Sequence, residues 1–479
     1  MLAPFLALPK KVISLGVLPC GVKMKRPFLA AMPILAATAL LCVSGMASHS
    51  APQTQATAPK LAATPPMGWN SWDSFGTAVT ETEVKANADY MAKNLAQFGW
   101  KYIVVDIQWY APTAKGHNYI PGAKLEMDAY GRLIPAVNRF PSAADGAGFK
   151  PLADYVHSKG LLFGIHIMRG IPKEAVTKHL PIEGTPYDAA DVADPDNLCV
   201  WNPDMMGVDT TKPGAQAYYD SLAELYATWG VDFIKADDMA SHLYQPAEIR
   251  ALSLAIRKSG RPMVLSLSPG PAPISEVEFF RRFAQMWRIS DDFWDSWPSL
   301  KEQFARAAAW APLSRPGAWA DADMLPLGKI GDPDDQGSRR WTNFTHDEQV
   351  TLMTLWSMMR SPLIFGGDLP ANDAFTLALL TNPEVIEVDQ QSTGNHQAYE
   401  SAGYVAWVAD APKAKDKYVA LFNLSDKEQS VSVAFSELKL PFAKASMRDL
   451  WEHKDLGAAD QAARKLPAHG AALLRAIAN

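Results

Sequence analysis

Between Val231 and Asp237 the chain reads Val-Asp-Phe-Ile-Lys-Ala-Asp, a short, mostly apolar run that ends in charge. Helical apolar patterns flank it, Gly214 to Thr228 before and Ala247 to Lys258 after. Seven residues suit a strand and are too few for an ordinary helix, so the segment predicts a strand between two helices, one unit of a parallel sheet. The same grammar extends in both directions. Apolar runs recur at Met67–Trp72, Tyr102–Asp106, Leu161–Ile167, Pro262–Ser268, Met286–Ser290, weakly near Trp319, and at Leu363–Asp368. Helical patterns lie between them, among them Glu81–Gln97, Gly148–Ser158, Leu300–Ala309 and Asp347–Met359. Eight such units predict an α/β fold, a (β/α)8 TIM barrel with inserted loops. A doubly wound sheet is the alternative, and the absence of a Gly-rich phosphate loop after any strand counts against it.

Past about Ser392 the helical period stops. Tyr404–Val408, Tyr418–Phe422, Val431–Phe435 and Ala471–Leu474 are short runs separated by turn residues. They predict a smaller C-terminal antiparallel β-sandwich. The division expected is 1–47 for an upstream extension and secretory signal, 48–63 for a flexible linker rich in Ala, Thr, Gln and Pro, 64–390 for the barrel and 391–479 for the sandwich.

The N-terminal expectation rests on Met24-Lys-Arg26, the apolar run from Phe28 to Val43, and the small residues Ser44, Gly45 and Ala47. That is the order of a basic region, an apolar region and a cleavage site, which implies a secreted or periplasmic protein. Pro33 breaks the run, which is short for a membrane span. The expected start of translation is then Met24, with Met1 the alternative. Leu41 before Cys42 is not the small residue a lipidation site needs. Cleavage near Ala47 leaves Cys199 as the sole cysteine, so neither an internal disulfide nor a zinc–thiolate cluster is expected. The whole chain has a net charge of −6. The first 47 residues hold five Lys and Arg and no acid, so the remainder stands at −11. Such a body argues against nucleic acid or anionic membrane as the main partner.

The C-terminal ends of barrel strands build the active face. Those ends carry Trp72, Asp106, His166, Lys235-Ala-Asp237-Asp238, Ser266-Leu-Ser268, Arg288-Ile-Ser-Asp291-Asp292 and Asp321-Ala-Asp323. A single Asp at a strand end commonly caps a helix or pairs with a rim cation, which is the reading for Asp238, Asp291 and Asp321. The set as a whole, paired carboxylates with two cations and a Trp, is what glycoside hydrolysis requires. A metal hydrolase is the rival, but the ten histidines are scattered with no His-x-His and no His-Glu-x-x-His, so no metal and no cofactor is expected.

Five motifs carry a resemblance. Thr64-Pro-Pro-Met-Gly-Trp-Asn-Ser-Trp72, Gly230-Val-Asp-Phe-Ile-Lys-Ala-Asp237, Trp287-Arg-Ile-Ser-Asp-Asp292, Trp319-Ala-Asp-Ala-Asp-Met-Leu325 and Leu355-Trp-Ser-Met-Met-Arg-Ser-Pro-Leu363 resemble glycoside hydrolase family 27, the α-galactosidase or melibiase family. The resemblance implies Asp237 as nucleophile and Asp292 as general acid/base. It implies Lys235 and Arg288 as binders of sugar hydroxyls, Trp72 as the stacking ring, and Asp106 as acceptor for hydroxyls near C4. Three positions depart from it. Ile107 stands where galactosidases carry a second Asp for the C6 hydroxyl, His166 where many carry Tyr, and Ser268 where they carry Glu near the C2 hydroxyl. An apolar Ile107 cannot reward a C6 hydroxyl, and β-L-arabinopyranose is α-D-galactopyranose without that hydroxymethyl group. The expectation is a retaining exo-glycosidase on terminal α-D-galactosyl or β-L-arabinopyranosyl residues. An α-N-acetylgalactosaminidase and a non-catalytic carbohydrate-binding protein on the same scaffold are the alternatives. The partner expected is a carbohydrate substrate, and oligomeric state is not legible.

Overall fold

The barrel strands are short, three to seven residues, and each is flanked by a helix in the order the apolar runs dictate. They are β1 (Met67–Asn70), β2 (Tyr102–Val105), β3 (Leu162–Met168), β4 (Phe233–Asp237), β5 (Val264–Leu267), β6 (Met286–Arg288), β7 (Trp319–Asp321) and β8 (Leu363–Phe365). The helices are α1 (Glu81–Asn94), α2 (Lys150–Ser158), α3 (Ala215–Trp229), α4 (Pro246–Lys258), α5 (Val277–Phe283), α6 (Trp297–Trp310), α7 (His346–Met359) and, after a short preceding helix, α8 (Pro383–Gln391). This computed structural model describes residues 61–120, 122–332, 338–401, 403–413 and 415–478. The expected signal segment 1–47 and nearly all of the expected linker 48–63 lie outside the described residues.

The eight strands are parallel in the order β7-β6-β5-β4-β3-β2-β1-β8. Leu325, just past β7, makes a parallel bridge to Phe365 of β8 and brings the two ends of the sheet together. Side-chain alternation then decides what each strand contributes. On β2 and β4 the positions Tyr102, Val104 and Phe233 join Val264, Met286 and Trp319 in an apolar plug inside the base of the barrel. Two residues further along the same inward faces stand Asp106, Lys235, Arg288 and Asp321. The intervening residues Ile103, Val105, Ile234 and Leu265 face the helices and belong to the main core. One period-two pattern therefore gives both a dry base and an ionic upper layer.

One expectation is corrected and two elements are added. Strand one stops at Asn70, and Trp72 opens a helical turn, Trp72–Phe75. The cause is local: Asn70 Oδ1 accepts the Trp72 backbone N–H at 2.8 Å and folds the chain over. Helix α5, seven residues long, was too short to show a period. Between β3 and α3 the chain makes an excursion whose strands Ile171–Pro172, Ala193–Leu198 and Met205–Val208 form a small antiparallel sheet. Its middle segment is largely solvent-facing and carried no alternation to read.

The C-terminal strands are β9 (Thr393–Ser401), β10 (Tyr404–Asp410), β11 (Lys417–Asn423), β12 (Gln429–Ala434), β13 (Ala445–Asp449), β14 (Lys454–Ala459), β15 (Gln461–Leu466) and β16 (Ala471–Ala478). A six-stranded sheet, β9-β10-β11-β16-β13-β14, faces the pair β12-β15. Both faces of β10 and β11 are apolar because each has a partner. Ala406, Val408, Val419 and Leu421 pack in the sandwich core. Trp407, Tyr418 and Phe422 join the barrel core, Phe422 meeting Phe304 of α6 at 5.0 Å. The second domain is thus packed against barrel helices, with His469 stacked on Trp297 at the start of α6 at 3.8 Å.

Candidate active site

The inward layer at the top of the barrel is a ladder of alternating charge. Register sets His166 opposite Lys235, Met168 opposite Asp237, and Asp321 opposite Arg288. Asp106 accepts from Asn70 Nδ2 at 2.7 Å and from Lys235 Nζ at 3.0 Å. Burial alone pushes the Asp106 carboxyl up, but Lys235, His166 and Asn70 outweigh it and hold it below its ordinary value. Asp237 accepts from His166 Nε2 at 3.1 Å and from the Asp238 backbone N–H at 3.0 Å. Burial again acts upward. The bond and charge of His166, together with Lys235, overcome it and hold Asp237 well below the usual carboxylate range. Burial lowers Lys235 and Arg288, and their surrounding carboxylates more than reverse this, so both are raised. Arg288 Nη2 reaches Asp323 at 2.8 Å and Asp292 at 3.4 Å. Asp323 is buried and also accepts from the Phe293 N–H. Burial and the nearby Asp292 and Asp321 push Asp323 up to about 6 against the pull of Arg288. Asp292 differs from all of these, its side chain being 63% exposed at the mouth.

These groups surround a cavity of about 500 Å³. Seven of the nine residues named from the sequence line it: Trp72, Asp106, Ile107, Lys235, Asp237, Arg288 and Asp292. His166 and Ser268, read from the sequence as substrate-contacting positions, are not among the lining residues. Both are fully enclosed, because their positions on β3 and after β5 lie beneath the rim. His166 spends its Nε2 on Asp237, so it touches the carboxylate that faces the cavity and not the cavity itself. Ile107 is also enclosed, 1% exposed, yet its side chain forms cavity wall beside Asp106.

The structure adds residues the sequence did not single out. Asp73, next to Trp72, lines the cavity with its Oδ2 buried and unpartnered. Burial and the nearby Asp323 raise it well above its ordinary value. Asp323 stood inside a quoted motif and at a strand end, which was the available signal. One wall of the cavity is aromatic. Trp72 stacks on Tyr119 at 6.1 Å, and Tyr119 meets Trp201 at 5.5 Å; on the other side Trp72 meets His117 at 5.4 Å, and His117 meets Trp294 at 5.9 Å. Trp201 comes from the excursion after β3, which is pinned at its root by a buried cation. Arg169 bridges Asp238 at 2.7 Å and Glu248 at 2.8 Å, and Glu248 in turn accepts from the Val208 N–H of the excursion. Asp238 is therefore a pairing residue, as its sequence position suggested. Asp291 pairs with His242 at 3.5 Å on the rim. Among the described residues no cluster of three or more His, Cys, Asp or Glu is arranged to hold a metal ion, and no helix is long and apolar enough to cross a membrane.

An ionised buried carboxylate, a second carboxyl at the mouth, cations for hydroxyls and a stacking wall form the equipment of a glycosidase. Comparison with known proteins agrees. Residues 64–212 and 197–391 match the family described as Alpha galactosidase A, and residues 401–476 match the Alpha galactosidase C-terminal beta sandwich domain. An alpha-galactosidase of Coffea arabica is 30% identical over 82% of this chain and 88% of its own. Alpha-galactosidase 2 of Arabidopsis thaliana is 29% identical over 82% of this chain and 84% of its own. The crystal structure of a GH27 β-L-arabinopyranosidase from Geobacillus stearothermophilus superposes with a TM-score of 0.85 at 52% identity, covering 87% of this chain and 97% of that one, and a variant of that enzyme has been solved in complex with arabinose. The chain belongs to the α-galactosidase (melibiase) family, glycoside hydrolase family 27, and is a glycoside hydrolase.

Proposed function

We propose that the protein is a retaining exo-glycosidase that removes terminal β-L-arabinopyranosyl residues at least as well as terminal α-D-galactosyl residues, and that it acts after export, in the periplasm or outside the cell. Asp237 is the nucleophile. Its depressed pKa keeps it ionised, and the His166 bond holds one of its oxygens in place. Asp292 is the general acid/base, standing at the mouth where the leaving group departs. Attack by the Asp237 carboxylate on the anomeric carbon forms a glycosyl ester as the glycosidic C–O bond breaks and Asp292 gives its proton to the leaving oxygen. Water, deprotonated by Asp292, then cleaves the ester and restores both groups. Lys235 and Asp106, paired at 3.0 Å, present a donor and an acceptor to adjacent ring hydroxyls. Trp72 offers its face to the ring.

Ile107 carries the choice of sugar. It lines the cavity beside Asp106, where its apolar side chain offers a hydroxymethyl group no acceptor of its own and accommodates a bare ring methylene well. An apolar wall rejects an added hydroxyl-bearing group by only about a hundredfold, so galactosidase activity persists. The kcat/KM values for p-nitrophenyl β-L-arabinopyranoside and p-nitrophenyl α-D-galactopyranoside, measured on wild type and Ile107→Asp, test this. The variant should move the ratio toward the galactoside by about 2–4 kcal/mol of transition-state free energy. A wild type that prefers the galactoside more than about a hundredfold, or a ratio unmoved by the substitution, refutes the assignment. NMR of the first-formed sugar tests retention.

A further inference from the structure

Both oxygens of the Asp237 carboxylate are held. Oδ2 takes the His166 bond, and Oδ1 accepts the N–H of the next residue, Asp238, at 3.0 Å. The second bond comes from main chain, so it is only as well aimed as the backbone around Asp238. β4 ends at Asp237, which leaves Asp238 past the sheet. There its φ is +60°, in the left-handed region, where a residue other than glycine stays only when its surroundings hold it.

Arg169, the residue after β3, supplies that hold. Its backbone N–H donates to the Asp237 carbonyl at 3.0 Å. Its Nε donates to the Asp238 carbonyl at 3.0 Å and to Asp238 Oδ2 at 2.9 Å, and Nη2 reaches the same carboxylate oxygen at 2.7 Å. One residue therefore grips the main chain on both sides of the turn, together with the Asp238 carboxylate. The guanidinium is itself fixed. Nη1 bonds Glu248 of α4 at 2.8 Å, and Glu248 accepts from Tyr219 of α3 and from the Val208 N–H. Backbone closes on it from the far side: a Cβ at Gly207 would stand 2.7 Å from Nη1. The side chains of Arg169, Asp238 and Glu248 are all buried, which keeps water from replacing these bonds. An ion pair needs only the two carboxylates. The two bonds to the carbonyls of Asp237 and Asp238 are what give this one a bearing on the carboxylate in the cavity.

We propose that Arg169, acting through Asp238, is the positioning residue of the nucleophile: it sets the turn after Asp237 so that the Asp238 N–H holds Oδ1 and the carboxylate faces the anomeric carbon. Neither Arg169 nor Asp238 lines the cavity, so neither acts on the substrate directly. The proposal rests on the reading of Asp237 as nucleophile.

Two variants test it. Asp238→Asn keeps the backbone N–H and tolerates left-handed φ, but removes the charge that Arg169 grips. Arg169→Lys keeps a cation for Glu248 and cannot fork between the carbonyl and carboxylate of Asp238. Each should lower kcat on p-nitrophenyl β-L-arabinopyranoside by about tenfold to a hundredfold, the scale of misplacing a reacting group by up to about 1 Å. The affinity for free L-arabinose, measured by calorimetry, should hardly change. The azide reaction of Asp237→Ala then isolates the nucleophile. Azide attacks the anomeric carbon as the glycosidic C–O bond breaks, Asp292 protonates the leaving oxygen, and a glycosyl azide forms. No carboxylate remains to be aimed, so adding Asp238→Asn or Arg169→Lys should leave the azide-supported rate unchanged. The comparison is a ratio between two backgrounds, so a shared loss of folded protein cancels. Equal losses in both backgrounds overturn the proposal, as does a fall in arabinose affinity that matches the fall in kcat, or a wild-type kcat in both variants. Near-normal turnover by Asp237→Ala without azide overturns instead the reading of Asp237 as nucleophile, and the positioning role falls with it.

Discussion

Asp323 should set the acid side of the pH–rate profile. It is buried, bonded to Arg288 at 2.8 Å, and pushed up to about 6. Above that pH it is an anion that pins the guanidinium. Below it, Arg288 loses its charged partner and swings its attraction toward Asp292, 3.4 Å from the same nitrogen. A hydrogen bond between charged groups is worth about 1.5–3 kcal/mol, so protonation should lower kcat/KM by about tenfold to a hundredfold. Asp323→Asn is a close isostere of the protonated state and keeps an acceptor for the Phe293 N–H. Its kcat/KM at pH 7.5 should be lower than wild type by that factor, its profile should lack the limb near 6, and the two profiles should converge toward pH 5. Stability must move the other way. An acid whose folded pKa is raised from 3.8 to about 6 binds its proton more tightly when folded. The stability it contributes is complete below 3.8 and is lost as pH rises to 6, on the order of 3 kcal/mol in all. At pH 7.5 Asp323→Asn should therefore melt no lower than wild type. A variant with wild-type activity at pH 7.5, or one that retains the limb near 6, refutes the reasoning. A variant that melts early shows Asp323 to be structural.

Asp237→Ala should abolish turnover, and azide should partly restore it by attacking from the vacated side; near-normal rates without azide would move the nucleophile elsewhere. His166→Phe removes the 3.1 Å bond to Asp237 and should cost about 1.5–3 kcal/mol of transition-state free energy, with His166→Gln, which can still donate, recovering part of it; kcat/KM for the two variants decides this, and equal losses would make the ring's bulk the relevant property. Arg169→Met leaves Asp238 and Glu248 buried without their shared cation, which should cost about 3–5 kcal/mol and lower the melting temperature by about 5 °C. Because Arg169 anchors the excursion that carries Trp201, kcat/KM should fall as well; a melting temperature within a degree of wild type would show the network to be dispensable.

The barrel was legible because its strands are buried on both faces. Such strands read as apolar runs bounded by helices, and where the inward face turns ionic, the charge falls at the end of the run. That is how Lys235 and Asp237 announced themselves: they share a face with Phe233, and only position along the strand separates plug from site. Trp72 shows the limit of the same argument. Its membership of the site was readable, but its place in a helical turn was not, since that depends on which oxygen of Asn70 meets which N–H. His166 shows another limit. Sequence put it on the right strand, and only the packing across to β4 shows that its ring meets Asp237.

The mouth was illegible for a different reason. Tyr119, Trp201 and Trp294 lie on loops of three different βα units, where no period links sequence to direction and no neighbour in the chain predicts a neighbour in space. The base of the cavity uses the repeat that makes the barrel, so strand register fixes where its residues stand. The collar is built from excursions that the barrel tolerates without using, held by local devices such as Arg169 with its two carboxylates. The two regions meet at Asp238, which pairs with Arg169 and gives its N–H to the Asp237 carboxylate. Ile107 stands at the boundary between the two regimes. It follows β2 directly, so its backbone is fixed by the barrel through Asp106, whose Oδ1 accepts the Ile107 N–H at 2.9 Å. Its side chain is 1% exposed and packs in the main core while also lining the cavity. On the reading proposed above, a single substitution there should change which sugar fits while Asp237 and Asp292 stay where the strands put them.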